Sequence, residues 1–374
     1  MTDSRIPSVV IVSGDPGGAN TVAPVIQKLI SDRKTRVHAY AYREAKKLWK
    51  ERNIPFSELP DTTTKESARG LLLLHKANLC FSGTSYNDQE FEKQFIAAAR
   101  DLHIPALVII DYPSYYAIRF SDNAGNRIYL PDKIAIMDKH AFDEMQEEGF
   151  DPSVLVITGQ PAYDDLVFER DTFSAEKRDM IRSDFGARNE ELVVVFASEP
   201  LFWGTQDNPA DCGYTKTGVL RLLIMALDHI QEKYKSNILL VIRPHPREDA
   251  HEYQGIRGEK IRVIVSSTGR SRDIVQAADL VCGMTTALLL EACYLGCIVA
   301  SIQPGLIELD ILPSNRLGYT TPIYKEEDII PVIQTLLLDT KERETIRLKC
   351  RSLILDSHSK DRVARQIYTM CGIE

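Results

Sequence analysis

Cysteine is present in this chain, but never in a pattern that builds structure. The seven residues, Cys80, Cys212, Cys282, Cys293, Cys297, Cys350 and Cys371, form no CxxC pair and are odd in number. That excludes a zinc knuckle or a closed disulfide framework as the source of the fold, and a reducing cytosol fits best. Long apolar runs are missing too: no stretch approaches the ~18 residues of a membrane span. Asp3 and Arg5 precede a short apolar run that ends at Gly14 and Asp15, so no export signal is read and a cytoplasmic protein is expected. Positive charge is in short supply, with Lys+Arg 45 against Asp+Glu 53 and a net charge of −8. Binding to a nucleic-acid backbone needs clustered cations, so no nucleic-acid partner is expected. There is no internal repeat, low-complexity tract or long charge run. Neither GxGxxG nor a Walker loop occurs, and no DxD pair is found, since Asp151 is followed by Pro152 and Ser153. No cofactor and no metal are therefore expected.

What is there is ordinary globular material: 374 residues, 44% hydrophobic and 26% charged. At about 100 to 200 residues per domain the length suggests two domains. Short apolar, β-branched runs alternate with helical patterns, the signature of a parallel sheet with helices on both faces, so the class is α/β. The first series of strands is read over residues 8–13, 36–42, 79–83, 106–111, 133–138 and 154–159, with helices such as 21–31 and 88–102. A charged helix over 174–185 precedes a second series at 192–197, 238–243, 261–266, 280–282 and 298–302. Two Rossmann-like units, residues 1–175 and 176–374, are thus expected around an interdomain cleft. The last segments, 326–338, 341–355 and 360–370, read as helices that cover the second sheet, the final one crossing back to the first unit.

Chemistry-bearing residues gather at predicted strand ends. The first strand runs into Ser13-Gly14-Asp15-Pro16-Gly17-Gly18-Ala19-Asn20, where glycines allow a ligand close to the backbone and a helix N-terminus favours anions. Asp15 lies where open α/β sheets bind ligands and is a candidate general base, or alternatively a turn cap. Asp111 ends another strand and is followed by Tyr112, Tyr115, Tyr116 and Arg119, groups suited to a sugar or nucleotide, unless Arg119 pairs Asp111 structurally and the tyrosines are core. Gly83-Thr84-Ser85 ends a strand of the same sheet. In the second half, Arg243-Pro244-His245-Pro246-Arg247 fixes one imidazole between two prolines at a strand end, where it can donate to a phosphate oxygen. Gly283-Met284-Thr285-Thr286 opens a helix and forms a phosphate cradle in principle, although either threonine is also an ordinary N-cap. Glu291 stands in an apolar run and needs a partner, for which ribose hydroxyls would serve.

Arg-Pro-His-Pro, then Gly-Met-Thr-Thr, then Leu-Leu-Glu-Ala and Gln303-Pro304-Gly305 together resemble the nucleotide-sugar half of GT-B glycosyltransferases. The His-Pro pair is similar to that of bacterial sialyltransferases, capsule Kdo transferases and CDP-glycerol polymerases. Asp111, Tyr116 and Arg119-Phe120, with Thr158-Gly159-Gln160-Pro161, resemble GT-B-like proteins of surface-polysaccharide loci. The resemblance implies a GT-B fold and an inverting, metal-independent glycosyltransferase. Its nucleotide-sugar donor would be held by Arg243, His245, Gly283, Thr285, Thr286 and Glu291. A glycan or other hydroxyl acceptor would be held by Gly17, Gly18, Asn20, Thr84, Ser85, Tyr116 and Arg119, with Asp15 or Asp111 as base. On the same fold stand a nucleotide-sugar 2-epimerase or hydrolase, whose Gly-Gly-x-Gln-Glu-Glu turn is not found here, and a CDP-alcohol phosphotransferase. A non-catalytic sugar-nucleotide-binding scaffold is the alternative of another class. Polymer-building transferases often work beside a membrane, so peripheral membrane association stays open, although the tail helices show no basic-aromatic face.

Overall fold

The computed structural model describes residues 6–85, 90–200, 212–307, 309–353 and 355–373. They fall into two compact units, Met1–Asp165 with Asp356–Glu374, and Leu166–Leu355.

The first unit carries strands β1 (Ser8–Ser13), β2 (Arg36–Ala41), β3 (Ser57–Glu58), β4 (Leu79–Ser82), β5 (Ala106–Ile109), β6 (Lys133–Ile136) and β7 (Leu155–Ile157). They form one parallel sheet in the order β3-β2-β1-β4-β5-β6-β7. Its helices are α1 (Pro16–Asp32), α2 (Arg43–Glu51), α3 (Lys65–Leu74), α4 (Phe91–Asp101) and α5 (Lys139–Glu147). The alternation of a strand explains how β1 binds both layers: Val9 and Ile11 pack with Ile26, Leu29 and Trp49, while Val10 and Val12 pack with Leu72 and Phe95 on the other face. A sheet covered on both sides needs this continuous apolar run.

The second unit carries α6 (Leu166–Asp171), α7 (Ala175–Asp184), α8 (Lys216–Tyr234), α9 (Ser271–Ala277), α10 (Ala287–Tyr294), α11 (Pro313–Arg316), α12 (Glu326–Leu338) and α13 (Thr340–Arg351). Its strands are β8 (Leu192–Ala197), β9 (Ile238–Arg243), β10 (Arg262–Val265), β11 (Leu280–Gly283), β12 (Val299–Ile302) and β13 (Thr321–Ile323), again all parallel, in the order β10-β9-β8-β11-β12-β13. Val194 and Phe196 of β8 meet Leu223 and Ile230 of α8 and Ile333 of α12 in one core.

The last helix, α14 (Ser359–Met370), belongs to the first unit. Its Val363 and Ile367 share the core of α1, and the Asp164 carboxylate accepts from the Ser359 and Lys360 amides at 3.0 and 2.9 Å, capping its start. The first unit's N-terminal segment closes at Asp165, ten residues ahead of the expected 175, because Asp164 is tied to α14 while Leu166 begins α6. Other differences are local. Helix α1 starts at Pro16, so Gly17 and Gly18 lie in its first turn instead of in a loop, since proline at the first helical position is already set for the helix. The expected start of the 88–102 helix lies outside the described residues; α4 begins at Phe91. Edge strands β3 and β13, two and three residues long, were not foreseen.

Candidate functional site

In both sheets the strand order reverses beside the first strand of the unit, between β1 and β4 and between β8 and β11. Open parallel sheets bind ligands at such points, outside the carboxyl ends of the strands.

In the second unit that point gathers His245, Glu248, Ser198, Glu199, Lys216 and Thr285. The His-Pro turn leaves β9, and His245 Nδ1 accepts from the Arg247 amide at 3.2 Å. Burial, with the nearby Arg247 charge, pushes the imidazole down to about 3. The ring is therefore neutral, and with Nδ1 accepting, its proton sits on Nε2 as a donor. The His245 amide donates to Glu248 Oε2 at 2.8 Å, and Glu248 Oε1 accepts from Lys216 Nζ at 2.7 Å and from Ser198 Oγ at 3.2 Å. One buried carboxylate thus ties the His-Pro turn to the end of β8 and the start of α8.

The turn after β11 holds the Glu199 carboxyl. The Thr285 amide donates to Glu199 Oε1, its Oγ1 donates to both Glu199 carboxylate oxygens at 3.1 and 3.2 Å, and the Thr286 amide donates to the same group. Burial pushes the Glu199 carboxyl up to about 7, the charge of Glu248 adding to the effect and the Thr285 bonds opposing it. Thr286 also caps α10, its side chain accepting from Leu288 N. At Gly283 a Cβ would come within 2.9 Å of the Ala197 carbonyl, so glycine is what lets β11 close against the end of β8.

Two expected donor-site residues have other work. Arg243 spends its guanidinium on the Ser266, Thr268 and Gly269 carbonyls at 2.9, 2.6 and 2.8 Å and on Ser271 Oγ at 3.1 Å, so it shapes the loop after β10. The partner that Glu291 needed is Arg272, at 2.7 Å.

In the first unit the β1–β4 point holds two carboxylate systems. The Asp15 carboxylate, buried and making no side-chain cap of α1, pairs with Arg43 at 3.2 Å. Beneath it lies Glu92 of α4, 2% exposed, accepting from the Gly14 amide at 3.0 Å and Ser85 Oγ at 3.2 Å and bonded to the Tyr42 hydroxyl. Burial pushes Glu92 up to about 7, with Asp15's charge adding to it. Asp111 Oδ1 accepts from Arg119 Nη1 at 2.6 Å and Thr84 Oγ1 at 3.1 Å. Arg119 is buried and also donates to Thr84 Oγ1 at 2.6 Å, so the structural pairing of Arg119 with Asp111 is the one observed. Tyr116 is 2% exposed, packs with Phe120 and Met145, and donates to Glu144 at 2.7 Å; it is core, where a tyrosine buries its ring and keeps its hydroxyl bonded. Asn20 is engaged by Arg52, at 2.5 Å. Each of these three side chains has a partner within its own unit.

Gly17 is the point of closest approach, since a Cβ there would lie 1.9 Å from Asp111 Oδ2, which Arg119 and Thr84 hold in place. Gly17→Ala is expected to destabilise the first unit by about 1–3 kcal/mol. Gly70→Ala, at a helical position with nothing within 4 Å, is expected to stabilise by about 0.5–1 kcal/mol. Denaturant midpoints of the two variants check both signs.

Sequence reasoning missed Glu199, Glu248, Lys216 and Glu92. Glu199 alone carried a signal, as a carboxylate just past a strand end like Asp15 and Asp111. Among the described residues no three His, Cys, Asp or Glu side chains converge as a metal site, and no helix is long and apolar enough to cross a membrane.

No protein-family model matches the chain, and no curated protein matches it in sequence. Solved structures match it over nearly its whole length. The S. aureus MnaA–UDP complex is 13% identical, with a TM-score of 0.73 and coverage of 98% of both chains. UDP-GlcNAc 2-epimerase from Neisseria meningitidis bound to UDP-GlcNAc is 13% identical, with a TM-score of 0.68 and coverage of 97% of this chain and 99% of that one. MurG of Acinetobacter baumannii is 14% identical, with a TM-score of 0.60 and coverage of 97% and 100%. At this identity the likeness is one of fold: two parallel-sheet Rossmann-like domains of the GT-B type.

Proposed function

We propose that the chain is an enzyme acting on a nucleotide sugar, of the 2-epimerase or hydrolase type. The observation that carries this is the β8–β11 site, where a carboxylate already rests on the Thr285 and Thr286 amides and the Thr285 hydroxyl, on the same unit as a neutral imidazole donor. A cradle that accepts an internal carboxylate suits the diphosphate of a nucleotide sugar. Full-length likeness to structures described as UDP-GlcNAc 2-epimerases supports the same reading.

Breaking the bond between the anomeric carbon and the diphosphate leaves charge on the departing phosphate. His245 Nε2–H and the Thr285 and Thr286 donors would meet that charge as preorganised dipoles. Within the first unit, Asp15 and Asp111 are the ionisable groups at the strand ends and the candidate acid and base, with Glu92 holding the Gly14–Asp15 turn. Without an acceptor, loss of the C2 proton together with the diphosphate leaves a C1=C2 double bond; re-addition of the nucleotide at C1 with protonation of the opposite face of C2 gives epimerisation, and addition of water at C1 gives hydrolysis.

A second reading, transfer to a hydroxyl acceptor, is favoured by one observation: the turn after β11 is Gly283-Met284-Thr285-Thr286 and has no carboxylate of its own. Likeness to MurG is in keeping with it. Incubation with UDP-, GDP-, CDP-, dTDP- and CMP-sugars in D₂O, followed by NMR, separates the outcomes. Deuterium at C2 with retained nucleotide identifies an epimerase, and acceptor-independent free sugar a hydrolase. Nucleotide release only on adding an acceptor identifies a transferase, and no change with any donor would overturn the enzymatic reading.

A further inference from the structure

At the opposite, amino ends of β11 and β12, the second unit has a cavity of about 360 Å³ lined by Arg170, Arg178, Gln276, Asp279, Arg347 and Arg351, among others. Cations outnumber the carboxylates that reach them. Asp279 is shared by Arg178 at 2.8 Å and Arg182 at 2.7 Å, and also accepts from the Val193 amide at 2.8 Å. Arg170 pairs with Asp171 at 2.9 Å. Among the described residues the guanidinium groups of Arg347 and Arg351 have no hydrogen-bond or ion-pair partner.

The sequence sharpens the point. Arg343, Arg347 and Arg351 recur every four residues and so share one face of α13. Like charges at that spacing disfavour a helix, and in a chain of net charge −8 the clustering is not a consequence of composition. Burial holds the Arg178 and Arg343 guanidinium groups below their ordinary range; Arg182 and Arg347 add to this at Arg178, and Arg347 and Arg178 at Arg343. An anion would relieve this crowding. Gln276 adds a different demand: its Oε1 is buried without a hydrogen-bond partner, so it suits a ligand that also carries an O–H donor.

We propose that this arginine-lined cavity binds a small organic phosphate, a hydroxyl-bearing phosphomonoester, at a site separate from the β8–β11 cradle. The volume fits a small-molecule pocket, and guanidinium groups match phosphate bidentately. The four residues of β11 separate the two sites, roughly 13 Å at the rise of a strand. The inference does not rest on the nucleotide-sugar reading.

Isothermal titration of the full chain with inorganic phosphate, glycerol 3-phosphate and a hexose 6-phosphate tests it. Saturable binding of the esters is expected, tighter than that of inorganic phosphate and weakened at least tenfold in the Arg347→Ala, Arg351→Ala double variant. Neither side chain has a partner to lose, so the unliganded melting temperature of that variant should not fall. Thr285→Val, which alters the cradle, should leave ester binding unchanged. Equal affinity for inorganic phosphate would overturn the assignment to an ester. Unchanged binding by the double variant, loss of binding in Thr285→Val, or no saturable heat with any probe would overturn the site.

Discussion

His245→Ala is expected to lower the proposed nucleotide-sugar turnover by about 100-fold or more, with a much smaller change in KM. Removing one preorganised donor from a developing oxyanion costs on the order of 10²–10³ in kcat. Two features of the site make the assignment sharp. Nδ1 is occupied by the Arg247 amide, which leaves Nε2–H as the only direction in which the ring can donate. Burial and the Arg247 charge hold the ring neutral, with its pKa at about 3, so its contribution should not vary between pH 5 and 9. His245→Gln, which keeps an N–H donor on a side chain of similar reach, should recover part of the loss. A pH-rate profile with an acid limb near 6.5 that disappears in His245→Ala would show instead an imidazole that titrates in the working range, and would sink this role.

Strands β1, β8 and β9 were legible to the residue because fully buried parallel strands need unbroken β-branched and apolar runs, and few other structures use them. The two proline brackets around His245 marked its turn for the same local reason. What could not be read was pairing. Glu92 sits in Glu90-Phe91-Glu92-Lys93, which on composition is a solvated helix start. It is buried only because α4 packs beneath the Gly14 turn, where the Tyr42 hydroxyl from the end of β2 reaches it. Arg119 and Asp111 are near neighbours in sequence, and their ion pair was one of two readings; choosing between them required Thr84, from the turn after β4, to complete the network. Glu291 shows the converse, since its need for a partner was evident while the partner, Arg272 on α9, was not. Each of these side chains depends on a contact formed by chain crossovers, which local spacing does not encode.

The two carboxyls raised to about 7 make the stability of each unit depend on pH, and the signs can be worked out. Between about 4.5 and about 7 folded Glu92 binds a proton that the unfolded chain does not, so the first unit should lose stability as pH rises through that range. The loss is on the order of 3 kcal/mol. Glu199 imposes the same slope on the second unit. There it is opposed by His245, whose folded value lies near 3 against an ordinary 6.5, so that the unfolded state binds the extra proton. From about pH 4.5 to 6.5 the two effects differ by no net proton and should cancel. Denaturant unfolding at pH 5, 6 and 7, with the units followed separately by hydrogen exchange, should therefore show a declining first unit and a nearly level second one. Glu92→Gln should flatten the first profile, and His245→Ala should uncover the hidden decline in the second. A second unit that stays level after His245→Ala would mean that Glu199 is ionised throughout, held by Thr285 and Thr286 as a permanent anion; a phosphate would then have to displace a charge from the cradle instead of replacing a neutral acid.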